Sequence, residues 1–275
     1  MSLLLITSLA ISNRVYVILG GTTAANTNQY IYTTNNTRVF SFNRGQWNQA
    51  DSPMPGGDGD IGSFWPYVGD KLQNYYNDNI YFVDCARQGA DITDWAQTGK
   101  YTGLSQFCFS IAEEINENYT VLWQEGTQDN FYSYNTDFFV TTIQNLIRPN
   151  QIWYISVLSY PSSYSVRWDK IYDIITLIRS SDNLYLGAEI DSLCIKNITF
   201  DQRESELVGD MWFRSIVYKD SPLFGNNIFY TCEVEKFNDF LMIFACLIIL
   251  LFTCSGFYYC YQYYKRKIYY ISINS

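Results

Sequence analysis

The sequence predicts an α/β fold, three layers deep in the order α/β/α with a mainly parallel sheet, followed by one C-terminal transmembrane helix. Two observations carry this. Short continuous apolar runs alternate with amphipathic stretches from residue 13 to residue 217, and no charged residue occurs from Phe240 through Tyr264. Strands buried on both faces read as unbroken hydrophobic runs, and their alternation with helices is the signature of a parallel sheet covered on both sides.

The elements follow in order. NRVYVILGG is a hydrophobic strand ending in Gly-Gly, SFWPYVGDKLQNYY an amphipathic helix, and NIYFVDCAR a second strand. LSQFCFSIAEEI is a second helix, TVLWQEG a third strand, and NTDFFVTTIQNLI a third helix. QIWYISVLSY is a fourth strand, RWDKIYDIITLIRS a fourth helix, NLYLGAEI a short final strand, and RESELVGDMWFRSIV a last helix. The Gly/Pro/Asp-rich stretch SFNRGQWNQADSPMPGGDGDIG is expected to be an ordered surface loop.

In such sheets ligands bind at the carboxyl ends of the strands. The segments to inspect are therefore GGTTAANTN, RQGADITDWAQTG and WQEGTQDN, which leave the first three strands. The Gly/Pro/Asp-rich stretch SFNRGQWNQADSPMPGGDGDIG is also expected to line that crevice.

The ends of the chain set its expected topology. FLMIFACLIILLFTCSGF is long and apolar enough to cross the ~30 Å hydrocarbon layer as a helix. Tyr258, Tyr259, Tyr261, Tyr263 and Tyr264 then form an aromatic collar, and Lys265, Arg266 and Lys267 a positive flank, the pattern of a helix whose short tail is cytoplasmic. At the other end MSLLLITSLAIS combines an apolar run with small residues at Ala10 and Ser12 but lacks a basic start, so it reads as a signal peptide or as a first buried strand. The expected organisation is a signal peptide at 1–12, an extracytoplasmic domain at 13–225, a stalk at 226–239, a transmembrane helix at 240–264 and a tail at 265–275. That is a single-pass type I protein with its large domain at a cell or virion surface.

Composition narrows the chemistry. The formal net charge is −9, with no Lys/Arg cluster outside the C-terminus, which argues against nucleic acid. The chain contains no His, so a mechanism that needs an imidazole from this chain is excluded. Cys85, Cys108, Cys194 and Cys232 are disulfide candidates with three possible connectivities or free buried thiols, and none has metal-ligand spacing. Cys246, Cys254 and Cys260 belong to the apolar segment. Asn35, Asn118 and Asn197 begin Asn-x-Thr sequons, acceptors for glycans if the host glycosylates. No cofactor is called for.

Three blocks in order, Gly20-Gly21-Thr22-Thr23, then Gln88-Gly89-Ala90-Asp91-Ile92 with Trp95, then Trp123-Gln124-Glu125-Gly126-Thr127-Gln128-Asp129, resemble the SGNH hydrolases. The resemblance is to their sialate O-acetylesterase and carbohydrate acetylesterase branch. There the first strand ends in Gly-Gln-Ser-Asn with the nucleophile, the second turn carries Gly-Gly-Thr-Ser-Ile followed by Trp, and the third block reads Trp-His-Gln-Gly-Glu-x-Asp. It extends over FNRGQWNQADSP, Gly62-Ser63-Phe64-Trp65 and ISVLSYPSSYS, from about Asn13 to about Val217. It implies a flavodoxin-like sheet.

It also implies a Ser nucleophile, a His base oriented by an Asp, and an oxyanion site of backbone N–H groups. This chain departs at each reacting position. Thr22 stands where the nucleophile would be, and the family's Asp-x-x-His-Phe aligns with Lys196-Asn197-Ile198-Thr199-Phe200, so Lys196 replaces the Asp and Thr199 the His. The pocket residues the resemblance supplies are Gly21, Gly89, Gly126, Asp91, Trp95, Trp123, Glu125, Thr127 and Asp129.

Each has a plainer reading. Asp91, Asp94 and Asp129 would cap turns or helices, Glu125 would be a solvated rim residue, and Trp65, Trp95 and Trp123 would be core rather than sugar-stacking platforms. The expected function is a membrane-anchored surface module of esterase fold that has lost catalysis and binds glycans or a partner. Its alternatives are an active O-acetylesterase using Thr22 with a carboxylate such as Glu125 or Asp129, and a purely structural head. The oligomeric state stays open.

Overall fold

The structure is a computed structural model that describes residues 11–124, 136–157, 175–178, 180, 182–190 and 199–219. Contacts divide the chain into a compact unit of Met1–Asn226 and a second of Asn227–Ser275, and every described residue belongs to the first. No helix among the described residues is long and apolar enough to cross a membrane, and segment 240–264 lies outside them.

Seven strands form one sheet: β1 (Asn13–Gly20), β2 (Val39–Asn43), β3 (Gln46–Gln49), β4 (Asn79–Asp84), β5 (Thr120–Gln124), β6 (Ile152–Val157) and β7 (Leu184–Glu189). Their spatial order is β3-β2-β4-β1-β5-β6-β7, and all pairs are parallel except the β2–β3 hairpin. The helices are α1 (Trp65–Tyr76), α2 (Ile92–Trp95), α3 (Thr102–Ile115), α4 (Thr136–Leu146) and α5 (Gln202–Tyr218). Residues 175–178 of the expected fourth helix are helical; most of that stretch lies outside the described residues.

One expectation needs correcting. The Gly/Pro/Asp-rich stretch is not a loop throughout, because Val39–Asn43 and Gln46–Gln49 form a hairpin that extends the sheet beyond β4. Its two-residue turn has both central residues at positive φ, Arg44 at 49° and Gly45 at 82°, the twist that suits a tight hairpin. β2 alternates: Val39 and Ser41 are buried, while on the other face Phe40 stacks on Tyr81 and Phe42 meets Trp47 edge-on. Gly69 of α1 lies against Val39, whereas Phe107 of α3 lies 6.4 Å from Phe42. These two helices therefore cover opposite faces.

α1 and α5 pack together over a core of Ile18, Val68, Leu72, Phe82, Leu122, Trp65 and Trp212, the last two rings 5.2 Å apart. On the α3 side, Trp95, Trp123 and Trp153 form a chain of buried indoles continued by Phe109.

Of the four candidate cysteines, Cys85 and Cys108 are joined by a disulfide that ties the end of β4 to α3. Cys194 and Cys232 lie outside the described residues. Closing a loop of this size removes denatured-state entropy worth about 3 kcal/mol. We therefore expect Cys108→Ser to lower unfolding stability by about 3 kcal/mol in urea titration. Equal midpoints with and without reductant for the unmutated chain would contradict it.

Candidate functional site

The sheet reverses its winding at β1, which lies between β4 and β5, so the crevice that doubly wound sheets use opens beyond the carboxyl ends of these strands. The first block lands there. β1 ends at Gly20, and the Gly21 N–H donates to the Gln124 carbonyl at 3.1 Å, stitching the turn to the end of β5. Residues 21–25 then make one helical turn, with the Ala25 N–H directed to the carbonyls of Gly21 and Thr22 at 3.3 Å each.

Thr22 is 4% exposed. Its Oγ1 accepts the Gly89 N–H at 2.9 Å, and its carbonyl accepts the Thr27 hydroxyl at 2.5 Å. Gly89 reaches this position with φ of 76°, where a β-carbon would meet no atom within 4 Å, so glycine serves the backbone conformation and not the space. The first two blocks are thus joined at the hydroxyl itself. Among the described residues, no carboxylate makes a hydrogen bond to Thr22.

The other carboxylates of the second block have structural partners. Asp91 is the N-cap of α2: its Oδ1 accepts the N–H of Thr93 at 2.7 Å and of Asp94 at 3.3 Å, while Asp94 accepts the Asp91 N–H at 3.2 Å. This is a reciprocal capping box. Asp201 caps α5 in the same manner with Glu204. Trp95 and Trp123 are fully enclosed and meet edge to face at 5.8 Å, so neither ring face is offered to a sugar. Trp65 is equally enclosed, and its Nε1–H donates to the Ala24 carbonyl at 2.8 Å.

The stretch 196–200, which the resemblance in sequence sets against an acid and base block, is partly in view. Thr199 is half-buried and Phe200 buried; the Phe200 N–H donates to Asn28 Oδ1 at 3.1 Å, and its carbonyl accepts the Gln29 N–H at 2.9 Å. Phe200 therefore docks on the segment that continues from Thr22. Lys196, Asn197, Glu125, Gly126, Thr127 and Asp129 lie outside the described residues. Asn35 and Asn118 are exposed.

The loop after the hairpin closes over the same turn. Asn26 accepts the Met54 N–H and donates to the Met54 carbonyl, both at 2.8 Å, and its own N–H donates to the Asp58 carbonyl at 2.7 Å. Asp58 Oδ2 accepts the Gln88 N–H at 2.9 Å.

Beneath this loop sits a carboxylate that sequence reasoning passed over. Asp84 ends β4 fully enclosed, with Oδ1 accepting the Ala86 N–H at 3.1 Å, Oδ2 without a hydrogen-bond partner among the described residues, and Gly57 packed directly against it. Burial is the largest influence and pushes its carboxyl up to about 7; the Ala86 N–H and the Arg87 charge pull it back, and Asp58 adds to the rise. An acid closing an otherwise apolar strand beside the winding reversal was the signal available in NIYFVDCAR.

Gln124, at the end of β5, is also fully buried; its Oε1 accepts the Trp212 indole N–H at 2.6 Å. A cleft of about 250 Å³ lies between α2, α3 and α4, lined by Trp95, Gln97, Thr102, Gln106, Thr142 and Asn145, and includes none of the residues around Thr22. No cluster of three metal-ligating side chains occurs among the described residues.

No protein-family model matches the sequence, and no curated protein matches it either. Solved structures do. A protein of Arabidopsis thaliana superposes with a TM-score of 0.62 at 14% identity, over 75% of this chain and 98% of that one. A carbohydrate acetylesterase from Xanthomonas citri gives 0.49 at 12% identity, over 75% of this chain and 57% of that one. An acetyl xylan esterase from Geobacillus stearothermophilus gives 0.48 at 12% identity, over 76% and 97%. At such identity the likeness speaks for the fold alone, an α/β fold with a mostly parallel seven-stranded sheet.

Proposed function

We propose that this chain is a membrane-anchored surface protein whose α/β domain has the carbohydrate-esterase architecture without its catalysis, and that it binds a glycan or a protein partner. The observation that carries the loss of catalysis is the state of Thr22. Its hydroxyl is enclosed and held by the Gly89 N–H, a backbone donor of the kind that would stabilise an oxyanion, and there is no His in the chain to take its proton. Asp91 and Asp94, the nearest carboxylates in the second block, are committed to capping each other's backbone.

Support for an anchored surface location comes from the uncharged stretch 240–264 with its cationic flank. The disulfide fits an oxidising compartment, and the exposed sequons at Asn35 and Asn118 fit one in which glycans are added.

The test is hydrolysis of an aryl acetate, an O-acetylated sialic acid and acetylated xylose by the full chain, beside Thr22→Ala. No turnover above that of Thr22→Ala is expected. Turnover abolished by Thr22→Ala would overturn the inactive reading and point to a carboxylate base such as Glu125 or Asp129. A glycan array with the same protein then tests the binding half of the proposal.

A further inference from the structure

The chain enters β1 and leaves α5 at the same edge of the sheet, the amino edge. There the Ser12 N–H donates to Asp78 Oδ1 at 3.1 Å, and Lys219, the left-handed C-cap of α5, donates from Nζ to the Tyr185 hydroxyl at 3.0 Å beside the start of β7. The ends of α1 and α5 on this edge carry a cluster of aromatic rings in which Tyr76 and Phe213 are half-buried against the core and Tyr75 and Tyr218 are exposed. Tyr75 is 53% and Tyr218 58% exposed. The Tyr75 ring meets Tyr76 edge-on at 4.9 Å, Phe213 at 5.9 Å and Tyr218 at 6.2 Å. Two cations lie over neighbouring rings, the Arg14 guanidinium, itself paired with Asp78 at 2.7 Å, 3.5 Å above Tyr76, and the Lys219 ammonium 4.4 Å from Tyr185.

This composition sets the edge apart in a chain whose net charge is −9. Tyrosine offers an apolar ring with a polar tip, and Lys or Arg a long apolar stem with a charged head, the pairing favoured where hydrocarbon gives way to headgroups. From Lys219 the chain runs through residues 220–239 to the apolar stretch beginning at Phe240. At the ~3.5 Å per residue of extended chain, that connection reaches at most roughly 70 Å. A domain tethered so closely meets the bilayer at high effective concentration, so even a weak surface affinity is realised.

We propose that the aromatic edge formed by Tyr75, Tyr76, Phe213 and Tyr218, with Arg14 and Lys219, docks on the lipid headgroup layer. This rests on the membrane-anchored reading above. Its consequence is an orientation: the amino edge faces the bilayer, and the opposite edge, with the turn at Thr22 and the loop at Asp58, faces outward where a partner can reach it.

The full chain is reconstituted into phosphatidylcholine vesicles with a photoreactive phenylalanine analogue in place of Tyr75, Tyr218 or, as control, Ile61. Ile61 is 50% exposed in the outer loop, where its N–H donates to the Asn26 carbonyl. After illumination, lipid adducts are expected at 75 and 218 and several-fold fewer at 61. Absence of that difference, or adducts at 75 and 218 to a second copy of the chain instead of lipid, overturns the proposal. Alkaline extraction of the same vesicles tests the anchor separately: release of the chain refutes insertion of 240–264 whichever adducts form.

Discussion

Gly20→Ala is expected to prevent the domain from folding. Gly20 ends β1 with φ of 130°, and a β-carbon there would lie 2.0 Å from the Gln124 carbonyl oxygen and 2.5 Å from its carbon. Those are backbone atoms of β5, fixed by the β1–β5 register and by the Gly21 N–H at 3.1 Å, so no side chain can swing aside. Relief would require separating the two central strands at the point where the site begins. A cost above about 4 kcal/mol follows, against a total stability of about 5–15 kcal/mol for a domain.

Gly89→Ala provides the scale, because it pays the conformational strain alone, about 1–2 kcal/mol. Expression and thermal denaturation of both variants decide the matter. A Gly20→Ala protein that melts within about 4 °C of the unmutated chain, the shift produced by roughly 1 kcal/mol in a domain this large, would refute the steric argument.

The second large effect is a dependence on pH that Asp84 imposes. Its folded carboxyl titrates at about 7, against a reference value of 3.8. Between these values the native state keeps a proton that the unfolded chain has released, so stability is full below about pH 4, falls as pH rises, and is level again above about pH 7. The distance between the two values corresponds to a loss of up to about 4 kcal/mol. Asp84→Asn keeps an oxygen to accept the Ala86 N–H and carries no charge to desolvate. It is therefore expected to remove this decline and to be the more stable protein at pH 8. Urea midpoints measured from pH 4.5 to 8 provide the check. Parallel profiles for the two proteins would show that Asp84 is ionised without penalty.

The legibility of the fold varied with the source of each element's stability. VYVIL, IYFV and VLW announce themselves because each is a continuous apolar run in a strand whose side chains are nearly all buried. QWNQ has no such run. It is a strand because Trp47 packs on Phe42 and Tyr81 and because the Arg44-Gly45 turn fits a hairpin, contacts made with residues that lie elsewhere along the chain.

The candidate site divides similarly. Thr22, Gly89 and Asp91 are legible as candidates because they stand in motifs, and Asp91 also carries its capping partner three residues away. Asp84 belongs to no motif, and its character comes from Gly57 and Asn26 closing over it from distant segments.

By itself the sequence determined the alternation of strand and helix, the places where the chain turns at the strand ends, the absence of imidazole and the apolar stretch near the C-terminus, because each depends on residue type and near neighbours. Only the tertiary structure decided that Cys85 pairs with Cys108, that the Gly89 N–H is directed to the Thr22 hydroxyl, that the tryptophans turn inward, and that one carboxylate lies buried beneath the loop. Disulfide reach, hydrogen-bond geometry and desolvation are set by distances between segments far apart in the chain, and those distances exist only once the sheet has formed.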